Sequence, residues 1–228
     1  MKKYLGFTLA EVLVTLGIVG VVAAMTIPIL MTNIGEKQTI SRLKQTYSLL
    51  SQAFKLAEND GADFGTLAEN DSNNWKQKAS DFVDKLRPHL KILSDCGHDD
   101  VNAVCVRDQY YIQLNGSNRM NYAHNSSMYK LVLFNGTHIW LHGGEKNWTY
   151  TSGGVTEPEY ARIYVDTNGV QGPNQWGRDF FMFHYFGSLG LVPSGLPGVY
   201  ESDSCRLSSS GVGCAYYVLK NGNMNYLH

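Results

Sequence analysis

The sequence has almost no net charge. It carries 19 Lys and Arg against 20 Asp and Glu, a formal net charge of −1 over 228 residues. A nucleic-acid binder needs a basic excess or basic blocks to neutralise phosphates, so no nucleic-acid partner is expected. Charged residues of both signs reach only 17%, below the roughly 25% usual in soluble domains. Cysteine is sparse: four residues, at 96, 105, 205 and 214, none at two-residue spacing. That removes zinc knuckles and thiol-redox motifs. No Gly-x-Ser-x-Gly elbow, phosphate loop or dinucleotide glycine motif occurs, so the chain is not expected to be an enzyme. His138 and His142 have the spacing of a zinc helix but lie on a predicted strand, where four residues span about 13 Å and cannot share one ion. The length allows one domain with an appendage, or two very small domains, at about 100–200 residues each.

What is present is uneven. The hydrophobic fraction is 43%, with a large share in the first 35 residues, and glycine (23) and tyrosine (14) are abundant. Many glycines, many tyrosines and few charges suggest a turn-rich β region built for an extracytoplasmic setting. The cysteines form two local pairs, Cys96 with Cys105 and Cys205 with Cys214. Two disulfides in an oxidising compartment are expected, each closing a loop of about ten residues. Four cysteines allow three connectivities, so a crossed pairing stays open.

The first residues are basic, with Lys2 and Lys3, and an uncharged stretch runs from Val12 to Gly35. Such a stretch can cross a hydrocarbon core needing about 20 apolar residues. By the positive-inside rule the N-terminus stays cytoplasmic and the rest is sent outward. A cleaved secretory signal has a shorter apolar stretch, with its small residues after it, whereas Ala23-Ala24 lies inside. A lipoprotein signal needs a cysteine directly after the stretch. A simple anchor fits the hydropathy but leaves Glu11 unexplained, since a carboxylate deep in a membrane costs about 3 kcal/mol. At the headgroup level that cost is small.

Gly6-Phe7-Thr8-Leu9-Ala10-Glu11-Val12-Leu13-Val14 resembles the N-terminal motif of type IV prepilins and type II secretion pseudopilins. The resemblance covers about residues 1–58. It implies a leader peptide, 1–6, removed between Gly6 and Phe7 by a prepilin peptidase that also N-methylates Phe7. It implies an assembly role for Glu11, the fifth mature residue, and for Pro28, the late proline of the membrane segment. The implied organisation is a membrane and assembly helix over 7–35 and a periplasmic or extracellular head over 36–228.

Beyond the membrane stretch, Ile40, Leu43, Tyr47, Leu50, Phe54 and Ala57 step by three and four, the seam of an amphipathic helix. Asn59-Asp60-Gly61 supplies its stop. A second helix is predicted over 74–86, ended or kinked by Pro88. From about Gln109 the pattern turns to β. Two runs, 129–134 and 137–142, flank Asn135-Gly136, which suits a type I′ hairpin turn. Further strands are predicted over 161–166 and 180–186, a last hairpin over 215–219 and 224–227, and an exposed loop over 143–160. The fold class is α+β: a long N-terminal helix packed on an antiparallel sheet.

The segment from Asp166 to Asp179 offers Asp166, Asn168, Asn174 and Asp179 as oxygen ligands for calcium, the one cofactor to consider. It fails the EF-hand template, because Gly177 stands where the twelfth-position Glu belongs. The competing reading is a turn held by Asx hydrogen bonds to backbone.

The expectation is a structural subunit of a type IV pilus or secretion pseudopilus. Its partners are other such subunits, the prepilin peptidase, an inner-membrane assembly platform and membrane lipid. Without Lys2 and Lys3 the chain has 17 basic and 20 acidic residues, which argues against DNA uptake. The rivals are a membrane-anchored binding protein or adhesin, whose helix is an anchor only, and a membrane-tethered hydrolase.

Overall fold

The structure is a computed structural model and describes residues 8–69, 74–98, 105, 110–121, 125–144, 149–152, 155–199 and 203–228. The chain divides into two units, Met1–Gln38 and Thr39–His228. Helix α1 (Leu9–Asn59) contributes to both.

In the first unit α1 is a run of Leu, Val, Ile, Ala and Met whose side chains stay uncovered, with Leu9 79% and Met25 69% exposed. Its Leu9–Pro28 portion is 20 residues long with mean hydropathy 2.2, long and apolar enough to cross a membrane. Thr15 and Thr26 donate their hydroxyls to the helix's own carbonyls, at Val12 (3.0 Å) and Val22 (2.9 Å). Neither threonine therefore strands a donor in apolar surroundings. Pro28 lies inside the helix without ending it.

In the second unit the expected seam is buried at Leu43, Leu50, Phe54 and Ala57, with Ile40 and Tyr47 packed beside it. Thr46 joins it and donates to the Thr137 hydroxyl at 3.2 Å. The helix ends in a Schellman arrangement: Ala62 N–H donates to Ala57 O at 2.9 Å, Gly61 N–H donates to Glu58 O at 3.0 Å, and Gly61 has φ +90°. Short helix α2 (Phe64–Glu69) and helix α3 (Trp75–Leu86) follow. Asn74 caps α3 by accepting from Gln77 N–H at 3.1 Å. A 3-10 turn at Arg87–His89 contains Pro88.

The strands are β1 (Ile92–Gly97), β2 (Tyr111–Ile112), β3 (Arg119–Met120), β4 (Tyr129–Leu133), β5 (His138–Gly143), β6 (Thr149–Ser152), β7 (Val155–Asp166), β8 (Phe180–Phe186) and β9 (Gly190–Pro193). The main sheet runs β1-β4-β5-β7-β8-β9 with β6 added to the first part of β7, antiparallel throughout. One face, with Leu131, Ile139, Leu141, Ile163, Val165, Phe181, Phe183 and Tyr185, shares a core with α1, α2 and α3. Phe54 stacks on Tyr185 at 4.0 Å between ring centroids. The opposite face is covered as well: Val132, Trp140, Tyr164, Phe180 and Met182 pack with Tyr111, Trp176 and the Cys96–Cys105 bridge. That double burial is why β8 reads Phe-Phe-Met-Phe-His-Tyr-Phe instead of alternating with polar residues. The architecture is α+β.

Three expectations need correction. The Asn135-Gly136 turn is not type I′, because Gly136 has φ +79° while Asn135 is not left-handed. Gly136 N–H donates to Leu133 O at 2.8 Å and Leu133 N–H to Thr137 O at 2.9 Å. This is a three-residue loop closed by a left-handed glycine. Asn135 instead donates through Nδ2 to Gln45 and Thr46 of α1, each at 3.3 Å. Second, much of 143–160 is strand, since β6 and the first half of β7 pair there, from Thr149 with Pro158 to Ser152 with Val155. Third, the C-terminal hairpin is absent. Residues Cys214–Asn221 form helix α4, capped by left-handed Gly222, and Asn225–Leu227 is a 3-10 turn.

Candidate functional site

The processing positions Gly6 and Phe7 lie outside the described residues. Immediately after them Thr8 opens α1 as an N-cap. Thr8 N–H and Thr8 Oγ1 both donate to Glu11 Oε2 at 2.8 Å, and Glu11 N–H donates to Thr8 Oγ1 at 3.3 Å. This is a capping box, in which two donors at the helix start are met by side chains three residues apart. The sequence spells it as Thr8-Leu9-Ala10-Glu11, a pattern the prepilin resemblance overshadowed. Glu11 Oε1 accepts no hydrogen bond among the described residues. No charged residue follows from Val12 to Gly35, so any cation for that oxygen must come from elsewhere.

The late loop brings its four candidates together, but as a backbone clamp. Asp166 Oδ1 accepts from the N–H groups of Asn168 (3.2 Å) and Gly169 (2.9 Å), and Oδ2 accepts from the Tyr111 hydroxyl (2.5 Å). Asp179 Oδ2 accepts from Asn174 N–H at 2.8 Å and Oδ1 from Gln175 N–H at 2.7 Å. Asn168 Nδ2 donates to Gly172 O at 3.0 Å. Thr167 N–H donates back to Asp179 O at 2.9 Å, and Arg42 of α1 donates to Thr167 O at 3.0 Å. Calcium wants six to eight oxygens. Here every carboxylate oxygen already takes a hydrogen from the protein, and Asn168 Oδ1 is the one candidate side-chain oxygen buried without a partner. Among the described residues no group of three or more His, Cys, Asp or Glu is placed to hold a metal. The hydrogen bonds made are those of side-chain-to-backbone Asx turns.

Burial raises the Asp166 carboxyl well above the usual range, and the neighbouring Asp179 charge adds to it. Burial likewise lifts Asp179 to about 6, against the stabilising N–H groups of Gln175 and Asn174. His138 and His142 have separate partners. His138 Nδ1 bonds Cys105 O at 2.8 Å, and His142 Nδ1 bonds its neighbour Gly143 O at 2.6 Å. The disulfides are local, Cys96–Cys105 and Cys205–Cys214, with Cα separations of 6.1 and 4.7 Å.

Sequence reasoning missed a buried ion cluster. Glu159, only 2% exposed, holds Arg162 through Oε2 at 2.6 Å and bonds His184 Nδ1 through Oε1. Burial pushes the Glu159 carboxyl up, but His184 and Arg162 outweigh it and hold it below its ordinary value. Strand alternation would put residues 159 and 162 on opposite faces. A register shift between Glu159 and Ala161 brings them to one face.

Residues 1–27 match the family described as the prokaryotic N-terminal methylation motif. That motif supports the type IV pilin and pseudopilin family for this chain, whose members are structural subunits that meet one another and a prepilin peptidase. No curated protein and no solved structure matches the chain.

Proposed function

We propose that this chain is a structural subunit of a type IV pilus or type II secretion pseudopilus. It assembles through the first part of α1 after cleavage between Gly6 and Phe7 and methylation of Phe7. The observation that carries the reading is the methylation motif over residues 1–27 running straight into a helix whose apolar side chains are uncovered. Uncovered apolar surface of this extent needs a non-aqueous neighbour. Lipid supplies it while the subunit waits in the inner membrane, N-terminus inward. Copies of the same helix supply it in the filament. Repeated head-to-tail packing of one surface on another builds an open helical array rather than a closed ring.

Glu11 has a defined task in this scheme. A carboxylate enclosed among apolar helices is costly unless paired. Cleavage creates an amine at Phe7, and Glu11 Oε1 is the acceptor left over by the capping box. Pairing with the Phe7 amine of an adjacent subunit sets the register. Pairing with its own Phe7 amine is the alternative and would serve insertion only.

The test is the mature N-terminus. Intact mass and terminal sequencing should give an N-methylated Phe7, and Gly6→Leu should leave full-length precursor in the inner membrane. An unmodified chain still starting at Met1 in the wild type would reduce α1 to an anchor and favour the membrane-anchored binding protein.

A further inference from the structure

A cavity of about 450 Å³ lies where α4, the Cys205–Cys214 bridge and the turn after β9 meet. Its size is within the range of about 300–1,000 Å³ typical of small-ligand sites. Its floor is backbone laid on backbone. Gly195 has φ +92°, and a Cβ there would stand 1.9 Å from Gly213 O. Tyr216 N–H on α4 donates to Ser194 O at 3.0 Å. The disulfide closes one wall through Cys205. The concavity is thus held by covalent and main-chain contacts rather than by adjustable side chains.

The walls carry an unusual set of groups for a chain of net charge −1. Tyr216, Tyr217, Arg206, Lys220 and Asp203 all line the cavity. Neither tyrosine hydroxyl has a hydrogen-bond partner among the described residues. Arg206 is steadied by donating Nε and Nη2 to Asp203 O, both at 3.3 Å, and its Nη1 has no hydrogen-bond acceptor among the described residues. The Lys220 ammonium sits 5.3 Å from the Tyr216 ring centroid and is not ion-paired among the described residues.

We infer that this cavity binds an acidic sugar residue, a uronate-type ring carrying one carboxylate. Each group then has a counterpart. The carboxylate meets Arg206 Nη1 and Lys220 in charge-assisted hydrogen bonds. The ring's C–H face lies on a tyrosine ring, whose electron-rich face attracts polarised C–H groups. The sugar hydroxyls donate to the Asp203 carboxylate and exchange hydrogen bonds with the two phenols. The same Asp203 argues against a phosphate, whose second negative charge it would repel. A neutral sugar would leave two cations unanswered. The inference does not rest on filament assembly, because binding is read on single subunits.

The experiment is titration calorimetry on the full chain in lipid nanodiscs, using trigalacturonate as probe. Its fully methyl-esterified form, maltotriose, trialanine and inorganic phosphate serve as comparisons. Trigalacturonate should bind, and esterification should weaken it about tenfold or more. Arg206→Gln and Lys220→Gln should each weaken it several-fold, and Lys37→Gln, which is not in the cavity wall, should leave it unchanged. Lys220 is exposed, so its variant folds even if the Arg206 variant does not. Absence of trigalacturonate binding overturns the proposal. So does equal binding of the ester, equal or tighter binding of trialanine or phosphate, or indifference to Lys220→Gln.

Discussion

The two parts of α1 are one helix by backbone and two different objects by energetics. From Thr39 onward, one apolar face meets the sheet: Leu43 and Leu50 are fully buried and Phe54 stacks on Tyr185. Before Gln38 its described apolar residues are largely uncovered, and Leu13, Val14, Leu16, Ile18 and Val19 are all above 60% exposed. Helix propensity alone does not separate them. Tertiary burial accounts for most helical stability in a folded domain, and only the later part has it. The earlier part carries its own local devices instead: a capping box at Thr8 and Glu11, and threonine hydroxyls returned to backbone carbonyls. A segment built this way keeps its backbone satisfied in any apolar surroundings.

If that division is right, substitutions in one part should leave the other untouched. The largest effect is expected at Glu11. Glu11→Ala should abolish incorporation into filaments in cells lacking the wild-type copy, while export, cleavage and the head's thermal melt stay as they were. Normal filament yield would remove Glu11 from assembly. The reciprocal change is Phe54→Ala, which opens a cavity between α1, Phe64 and Tyr185. It should cost the head about 3–5 kcal/mol, the usual range for a buried phenylalanine. Denaturant unfolding measures it, and precursor cleavage at Gly6 should proceed at the wild-type rate. A loss below about 1 kcal/mol would mean the seam is not what holds α1 to the sheet.

How much of this was readable from the chain depends on whether the signal was local. The seam from Ile40 to Ala57 was legible because a helix repeats its burial every three to four residues. The two local disulfides were the pairing that proximity in sequence favoured among three allowed connectivities. The stretch 143–160 was not legible. Its glycines and glutamates resemble a loop, and only pairing with β6 makes residues 155–158 a strand. The C-terminal helix was not legible either. Tyr216, Tyr217 and Val218 favour strands, but burial of Cys214, Ala215 and Val218 on one helical face overrides that preference. The late loop was located correctly by its Asp, Asn and Gly residues. Its function as a clamp needed the hydrogen bonds to Tyr111 and to its own backbone.

That clamp gives a smaller, pH-dependent effect confined to the head. Asp179 has its folded value raised to about 6, so the folded state holds a proton that the unfolded state has released. The penalty is absent below the ordinary carboxylate range, grows as pH rises through about 6, and is complete at neutrality. Buried His138 has the opposite sign, since burial depresses its folded value and acid favours the unfolded chain. Comparing wild type with Asp179→Asn cancels that histidine contribution. Between about pH 7.5 and pH 5, wild type should gain on the variant by on the order of 1 kcal/mol. Parallel stability curves for the two proteins across that window would show that Asp179 does not titrate there.

The smallest effect should come from Thr8, and it sharpens the contrast within α1. Thr8→Ala removes an N-cap, worth about 1 kcal/mol in ordinary helices. It also leaves the Glu11 N–H without its side-chain acceptor and withdraws one of the two donors on Glu11 Oε2. Thr8→Ser keeps the hydroxyl and should behave as wild type. In lipid nanodiscs, amide hydrogen exchange at Glu11 and Val12, whose N–H groups bond Thr8, should quicken about fivefold in Thr8→Ala, the equivalent of that 1 kcal/mol. Exchange in α1 beyond Thr39 should not change. The two substitutions should also be non-additive: once Glu11 is alanine, removing the Thr8 hydroxyl has less to disturb, because the box is already open. Filament yield should fall far less in Thr8→Ala than in Glu11→Ala, since the threonine serves the helix start and the carboxylate is the group proposed to pair with the neighbour. Equal loss of filaments in both variants would mean that the capping box itself, and not the free oxygen of Glu11, is what assembly requires.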